Sequence, residues 1–243
     1  VCGPLLRCKF GTHYDSVGMP WFWCNIQTRV SSRGKGVKGM QKEKLGYPMG
    51  SFAEIFESLD KKIHELGGIV NLKTAVNSVS VKNGEATGLT ITDQTGGQNV
   101  VEADAVLATV PSYVFPKLVQ TLPEDYIAKL NDVNYLSAVL IILELYQPFS
   151  EHYWLNIADR SIPFVGLIEQ TNLVSPSIYD NKHVLYISNY LDESNPLFNM
   201  TDVELLEVYI RLLKAINPSF DKSWIHKWHY HKVAAAQPII CLL

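Results

Sequence analysis

The chain has 243 residues, of which 47% are hydrophobic and 19% charged, and its formal net charge is −3. This composition excludes a disordered or collagen-like chain, and the length is enough for one large domain or two small ones. The slightly acidic balance argues against nucleic-acid binding, which usually needs a basic stripe. Four cysteines without a CxxC pair are too few for a disulfide framework and favour a reducing, cytoplasmic setting. The longest apolar run, residues 139–143, is far too short to span a bilayer.

The first half of the chain predicts an irregular start followed by a helix and a β-meander. Residues 1–45 show no clear period. Apolar residues at helical spacing follow Ser51 and Glu54, which could form a capping box, and Gly67 ends the predicted helix. A short strand is predicted over residues 69–72. Alternating residues interrupted by Asn83–Gly84 and by glycines 96 and 97 then predict a meander, and the apolar run 103–109 predicts a buried strand.

The second half predicts more strands and one long helix. Short helices are expected before Val119 and over residues 126–130. The long helix begins at Thr201, where Glu204 completes a capping box, and ends before Asn217–Pro218. Further strands are predicted over residues 138–145, 164–168, 183–190 and 224–232. The fold class is therefore α+β, with a mixed β-sheet, flanking helices and a β-meander.

Two motifs with possible chemistry are weak. Residues 34–39 match GxGxxG, but no apolar strand precedes them, so a basic loop is favoured over a dinucleotide site. His226, His229 and His231 lack a neighbouring cysteine or carboxylate at ligand spacing, and only the last two share a strand face. Packing is therefore favoured over metal binding, and no metal site is predicted. No GxSxG serine-hydrolase motif is present.

Aromatic residues in or beside the predicted strands offer a candidate substrate site. The residues that could line an apolar pocket are Tyr153, Trp154, Phe164, Tyr186 and Tyr190. Core packing is the favoured explanation of each of them, and the pocket stays open as the second interpretation at this point.

The order of segments from Gly46 to Pro111 resembles the flavin-containing amine oxidase superfamily, which includes protoporphyrinogen oxidase and phytoene desaturase. The matching order is a glycine-containing entry at residues 46–52, a helix, the stretch 67–76 and the run 103–111. Met49 stands where the family often has a second glycine. The family's N-terminal βαβ unit and its closing C-terminal segment have no counterpart, and the chain ends inside an apolar run. We therefore expect an internal piece of a longer protein.

The resemblance implies a domain plan and a cofactor. Residues 1–45 would be a substrate-side segment, residues 46–111 a partial return of the FAD-binding domain, and residues 112–243 the substrate-binding domain. By this resemblance, the FAD contacts would be Val76, Ala108, Thr109 and Pro111. The resemblance places residues 46–51 near the flavin or its substrate, so the expected substrate-side set is Tyr47, Met49, Gly50, Ser51, Trp154, Tyr186 and Tyr190. No catalytic acid or base is implied.

Three functional hypotheses follow from this resemblance. The first is an FAD-dependent oxidoreductase that oxidises a C–N or C–C bond of a small molecule, and this piece alone is expected to bind FAD poorly and to be inactive. The second is a flavin isomerase resembling UDP-galactopyranose mutase, and the third is a non-catalytic binding domain with the same fold. The expected partner is a small-molecule substrate, without nucleic acid or a membrane span, and the oligomeric state is left open.

Overall fold

The computed structural model describes residue 6 and residues 9–32, 35–36, 39–40 and 46–239. The chain divides into two compact units, residues 50–134 and the remainder. These unit boundaries fall at residues 49/50 and 134/135, whereas the functional domain plan, with its boundaries at 45/46 and 111/112, stays a prediction.

The helices and strands are numbered in chain order within the described residues. The α-helices are α1 (Met19–Ser32), α2 (Ala53–Glu65), α3 (Phe115–Leu118), α4 (Glu124–Asn131), α5 (Pro196–Asn199) and α6 (Asp202–Ile216). The strands are β1 (Lys35–Gly36), β2 (Gly39–Met40), β3 (Ala75–Lys82), β4 (Glu85–Thr92), β5 (Gln98–Glu102), β6 (Tyr135–Leu145), β7 (Trp154–Asn156), β8 (Gly166–Glu169), β9 (His183–Leu191) and β10 (Ile225–Pro238). Single 3₁₀ turns span Gly11–His13, Gln170–Asn172, Pro176–Tyr179 and Lys222–Trp224.

The larger unit is built on a five-stranded sheet in the order β10-β6-β9-β8-β7, with every pair antiparallel. Side chains alternate between its two faces, as the strand period requires. One face forms the main core with α6, whose Tyr209 packs edge-on against Phe164 with ring centroids 5.0 Å apart. The predicted capping box of α6 is confirmed, because the Glu204 N–H donates to Thr201 Oγ1 and the Thr201 N–H donates to Glu204 Oε2.

The smaller unit contains the predicted meander, β3-β4-β5, and the helix α2. The turn between β3 and β4 uses Asn83 and Gly84 at φ 54° and 84°, the left-handed pair that a tight hairpin requires. Gly88 is required by a close approach, because a Cβ there would overlap the carbonyl oxygen of Val101 on β5. The meander prediction is therefore confirmed.

Four local predictions are wrong. Residues 19–32 form α1 instead of an irregular segment. The Ser51–Glu54 capping box does not form, because Phe52 is the N-cap residue and the Ser51 hydroxyl accepts from the Ala53 N–H instead. Residues 69–72 and 103–109 are not strands, and Leu107 is 89% exposed. Both runs are apolar, but in residues 50–134 no strand pairs with either of them.

Candidate functional site

The second face of the five-stranded sheet carries the candidate site. Because side chains alternate along a strand, half of them lie on this face. In β6 and β9 most side chains on this face are partly exposed, whereas those on the other face are buried. We call it the open face. One cross-strand row runs through directly paired residues on all five strands: His229, Ile142, Tyr186, Ile168 and Trp154. Directly paired side chains in an antiparallel sheet contact one another, so this row forms a continuous, largely apolar strip.

A second row extends the open face. The second row holds small or polar side chains around Leu140, with His231, Ser188, Gly166 and Asn156 in register. Gly166 adds no side chain, and Ser188 adds only a hydroxyl. The open face therefore has a shallow, polar row beside an aromatic one, an arrangement that suits a ring-bearing molecule with polar substituents.

Four tyrosines gather around the aromatic row. Burial raises the pKa of Tyr186, and the neighbouring phenols of Tyr179, Tyr47 and Tyr153 raise it further. Burial and Tyr47 likewise raise the pKa of Tyr179, against a hydrogen bond with Gln170. Because both pKa values are higher than that of free tyrosine, these phenols are neutral near pH 7 and present O–H donors beside apolar ring faces.

The β10 side of the open face is charged. His229 Nε2 lies 3.0 Å from Glu144 Oε1. The hydrogen bond with His229 is the main cause that lowers the pKa of Glu144, with Lys227, His229 and His226 acting in the same direction through their charges. The aromatic row thus borders the ionised Glu144 carboxylate and the basic side chains of Lys227 and His226.

The structure brings together part of the predicted substrate set. Tyr47, Trp154 and Tyr186 lie in the larger unit and contribute to the aromatic row or its surroundings. Tyr190 is on the same face but packs against the small core of Phe10, Leu136 and Ile239, so core packing accounts for it. Met49 ends the larger unit's first segment and is 84% exposed, whereas Gly50 and Ser51 belong to the smaller unit.

Sequence reasoning missed several members of the site. Ile168 pairs directly with Tyr186, and His229 joins the same row through Ile142; both placements depend on strand register, which a single sequence does not specify. Tyr179 lies in the 3₁₀ turn Pro176–Tyr179 and follows no strand period, whereas Tyr153, directly before β7, is among the aromatic residues that the sequence offers as lining of a pocket. Ser188 could have been predicted from the sequence, because it lies two residues after Tyr186 in the predicted strand and so faces the same side of the sheet.

The residues predicted to contact FAD all lie in the smaller unit. Val76 is near the start of β3 and is partly exposed, while Ala108 and Thr109 lie in the exposed segment after β5, which belongs to no helix or strand. The Pro111 carbonyl accepts from the Val114 N–H at the entry to α3, and α3 contacts β3. The small, exposed side chains of Ala108 and Thr109 leave room for close approach by a flat ring.

A diphosphate requires a different environment, usually a glycine-rich loop that opens a helix. In residues 50–134, all of which are described, the first turn of α2 contains Glu54, whose carboxylate lies beside Gly50 and would repel a phosphate. The described residues of the GxGxxG match pair as the two-residue strands β1 and β2. The smaller unit therefore fits the ring-contacting part of an FAD site and does not fit its diphosphate-binding part.

Two of the three histidines of β10 have partners other than a metal ion. His226 Nδ1 lies 2.8 Å from the Tyr146 hydroxyl, and His229 pairs with Glu144. Over the described ranges, no three His, Cys, Asp or Glu side chains come close enough together to hold a metal ion. None of the helices in those ranges has the length and apolarity needed to cross a bilayer.

Comparison with known proteins agrees with this architecture. A family model described as flavin-containing amine oxidoreductase matches residues 23–238. Similar solved structures include an oxidoreductase from Methanosarcina mazei, with 20% identity, TM-score 0.61 and 77% of this chain covered. A provisionally assigned protoporphyrinogen oxidase from Exiguobacterium sp. 255-15 aligns at 15% identity and TM-score 0.58 over 76% of the chain.

Reduced UDP-galactopyranose mutase aligns at 14% identity and TM-score 0.65 over 93% of the chain. At these identities the likeness shows a shared fold. The chain spans 44%, 40% and 47% of the three structures' own lengths, respectively. No curated protein sequence matches significantly.

Proposed function

Because the chain belongs to the flavin-containing amine oxidoreductase family, we propose that it forms the substrate side of an FAD-dependent oxidoreductase acting on a small, ring-bearing molecule. The observation that carries the substrate part is the aromatic row on the open face, with Tyr186 at its centre. The proposed reaction is the oxidation of a C–N or C–C bond.

In this proposal FAD, when bound, accepts the hydride or electron pair released from the substrate bond. Val76, Ala108, Thr109 and Pro111 would contact its ring portions. The chain's own role is binding and orientation. Trp154, Ile168 and Tyr186 would hold a ring by apolar contact and exclude water, and the neutral phenols would donate hydrogen bonds to its polar substituents. We assign no catalytic acid or base. The proposed setting is the cytoplasm.

Variants of the open face test the substrate part of the proposal in the full-length protein. Trp154→Ala and Tyr186→Ala should raise KM for the substrate while leaving the flavin content unchanged. Trp154 is about half exposed, so its truncation leaves no core cavity. Tyr126→Ala, an exposed tyrosine on α4, is the matched control and should change neither quantity. Unchanged KM in both open-face variants would refute this assignment of the substrate site.

The flavin content of the purified full-length protein tests the cofactor part. We expect a stoichiometric flavin absorbance spectrum that bleaches when substrate is added under anaerobic conditions. A flavin-free protein with this fold would instead support the non-catalytic binding domain. The two tests are separable, because flavin content does not depend on the open-face variants.

A flavin isomerase is the second candidate, favoured by the alignment of UDP-galactopyranose mutase over 93% of the chain. It predicts turnover of a UDP-sugar by the reduced protein with no electron acceptor present. An oxidoreductase requires an acceptor for every turnover, so the acceptor dependence decides between the two.

A further inference from the structure

Glu144 is a carboxylate on the open face that lies one row away from the aromatic row. It is directly paired with Val184 on β9 and with Lys227 on β10. It follows Ile142 by two residues along β6, so the two side chains share a face. Because Ile142 pairs with Tyr186, Glu144 and Tyr186 are diagonal neighbours across β6 and β9. Diagonal neighbours in an antiparallel pair are about 7–8 Å apart, which long side chains can bridge.

Only one oxygen of the Glu144 carboxylate has a partner within the protein. An ionised carboxylate can only accept, so the His229 Nε2–H donates to Oε1 across their 3.0 Å contact. The second oxygen, Oε2, has no hydrogen-bond donor among the residues that the structure describes. The side chain is 28% exposed, and its neighbour Val184 is buried. A carboxylate in such a place binds a donor more strongly than a fully hydrated one, because less water competes for it.

The two lysines of this region are less well placed than Glu144 to contact a molecule on Tyr186. Lys227 is on β10, and β6 separates that strand from Tyr186 on β9. Lys182 directly precedes β9, but its ammonium lies over the Tyr146 ring, 5.2 Å from the ring centre. The charge beside Tyr186 is therefore that of the Glu144 carboxylate, which favours a hydrogen-bond donor over an anion.

We propose that Glu144 determines substrate specificity by accepting a hydrogen bond from a donor group on the substrate, a role that rests on the proposed placement of the substrate ring at Tyr186. The donor is a hydroxyl or an ammonium group on a substituent about two or three bonds long, because that length covers the diagonal distance from Tyr186 to Glu144. Glu144 repels a carboxylate in the same place, so ring-bearing acids bind poorly.

Three probes with the same ring test this role of Glu144. They are 2-phenylethanol, 2-phenylethylamine and phenylacetate, which carry a hydroxyl, an ammonium and a carboxylate group at pH 7. Ligand-detected NMR measures their dissociation constants with the full-length protein. We expect the alcohol and the amine to bind about three- to tenfold more tightly than phenylacetate. An amine that binds more tightly than the alcohol would identify the donor as an ammonium group, and equal binding of the two would identify it as a hydroxyl.

The substitution Glu144→Gln should reduce the preference for the two donors over phenylacetate to about twofold or less, because the amide is uncharged and can itself donate to a carboxylate. The matched control is Glu207→Gln on α6, the helix that packs against the other face of the sheet. This control should keep the preference of the unmodified protein. A change in stability alone would shift the three dissociation constants together, so their ratio reports the contact with Glu144.

Two results would overturn the role of Glu144 alone. The first is phenylacetate binding as tightly as the two donors or more tightly, and the second is an unchanged preference in Glu144→Gln. Trp154→Ala separates these results from a failure of the proposed function, because it should weaken all three probes alike. Probes that do not bind, or that bind equally well to Trp154→Ala, would contradict the placement of the ring and the role of Glu144 with it.

Discussion

Glu169 is a buried carboxylate whose replacement should have a specific effect on stability. Its side chain is 1% exposed, and its two oxygens accept hydrogen bonds from the N–H groups of Phe149 at 2.9 Å and Ser150 at 2.6 Å. These bonds attach the turn after β6 to β8. Asn217 fixes the same turn from the end of α6, because its side-chain amide donates to the Phe149 carbonyl at 2.7 Å.

The substitution Glu169→Gln keeps the shape of the side chain but replaces one acceptor oxygen by an NH₂ group. One buried backbone N–H then faces another donor and loses its partner. An orphaned buried donor costs about 1–3 kcal/mol, so the free energy of unfolding should fall by about that amount at pH 7. This loss comes from one hydrogen bond, since the volume of the side chain is nearly unchanged.

The pH dependence gives the sharper test. Burial raises the pKa of Glu169 above its ordinary value of 4.5, against the opposing effect of the Phe149 and Ser150 hydrogen bonds. The folded protein therefore binds more protons than the unfolded chain between these two pKa values. Acidification then stabilises the unmodified protein relative to Glu169→Gln. The destabilisation by Glu169→Gln should thus grow as the pH falls from 7 toward 4.5.

Urea unfolding at several pH values measures this trend. Glu204→Gln is the control of opposite sign. Hydrogen bonds from the Thr201 backbone and hydroxyl lower the pKa of Glu204 in the folded protein. The stability that Glu204 contributes is therefore lost as the pH falls through that lowered pKa. His183 Nδ1 lies 3.8 Å from Glu169 Oε1. Comparing Glu169 with Glu169→Gln in a His183→Asn background therefore removes the effect of the histidine. A destabilisation by Glu169→Gln that shrinks on acidification would refute the argument, because the hydrogen bonds would then outweigh burial.

Three further substitutions test the packing described above, each by equilibrium unfolding. Tyr209→Phe should cost about 1–3 kcal/mol, because it leaves the buried Asn189 side-chain amide without its acceptor at 3.1 Å; no change would mean that Asn189 finds another partner. Leu213→Ala should cost about 2–5 kcal/mol at a fully buried site of α6. Gly88→Ala should cost about 1–3 kcal/mol or more, because its Cβ would overlap the Val101 carbonyl. The control Gly84→Ala meets open space and carries only the strain of its positive φ, so equal losses at the two glycines would contradict the overlap argument.

Local signals in the sequence predicted much of the fold. The Thr201–Glu204 capping box, the apolar period of α6 and the Asn83–Gly84 turn each depend on residues a few positions apart, and all three form as predicted. Strand periods also located β6 and β9 to within about three residues. The run 103–109 shows where such signals fail, because apolar composition does not supply a neighbouring strand with which to pair.

The candidate site likewise depends partly on local sequence and partly on tertiary structure. The sequence by itself determined that Trp154, Tyr186 and Tyr190 are aromatic residues in or beside strands, and its segment order pointed to the flavin-dependent family. Only the tertiary structure decided that Trp154 and Tyr186 share a row with His229 while Tyr190 is packed against Phe10. The physical reason is strand register. It is fixed by pairings between residues up to 103 positions apart, such as Tyr135 with Pro238, and no local pattern encodes them.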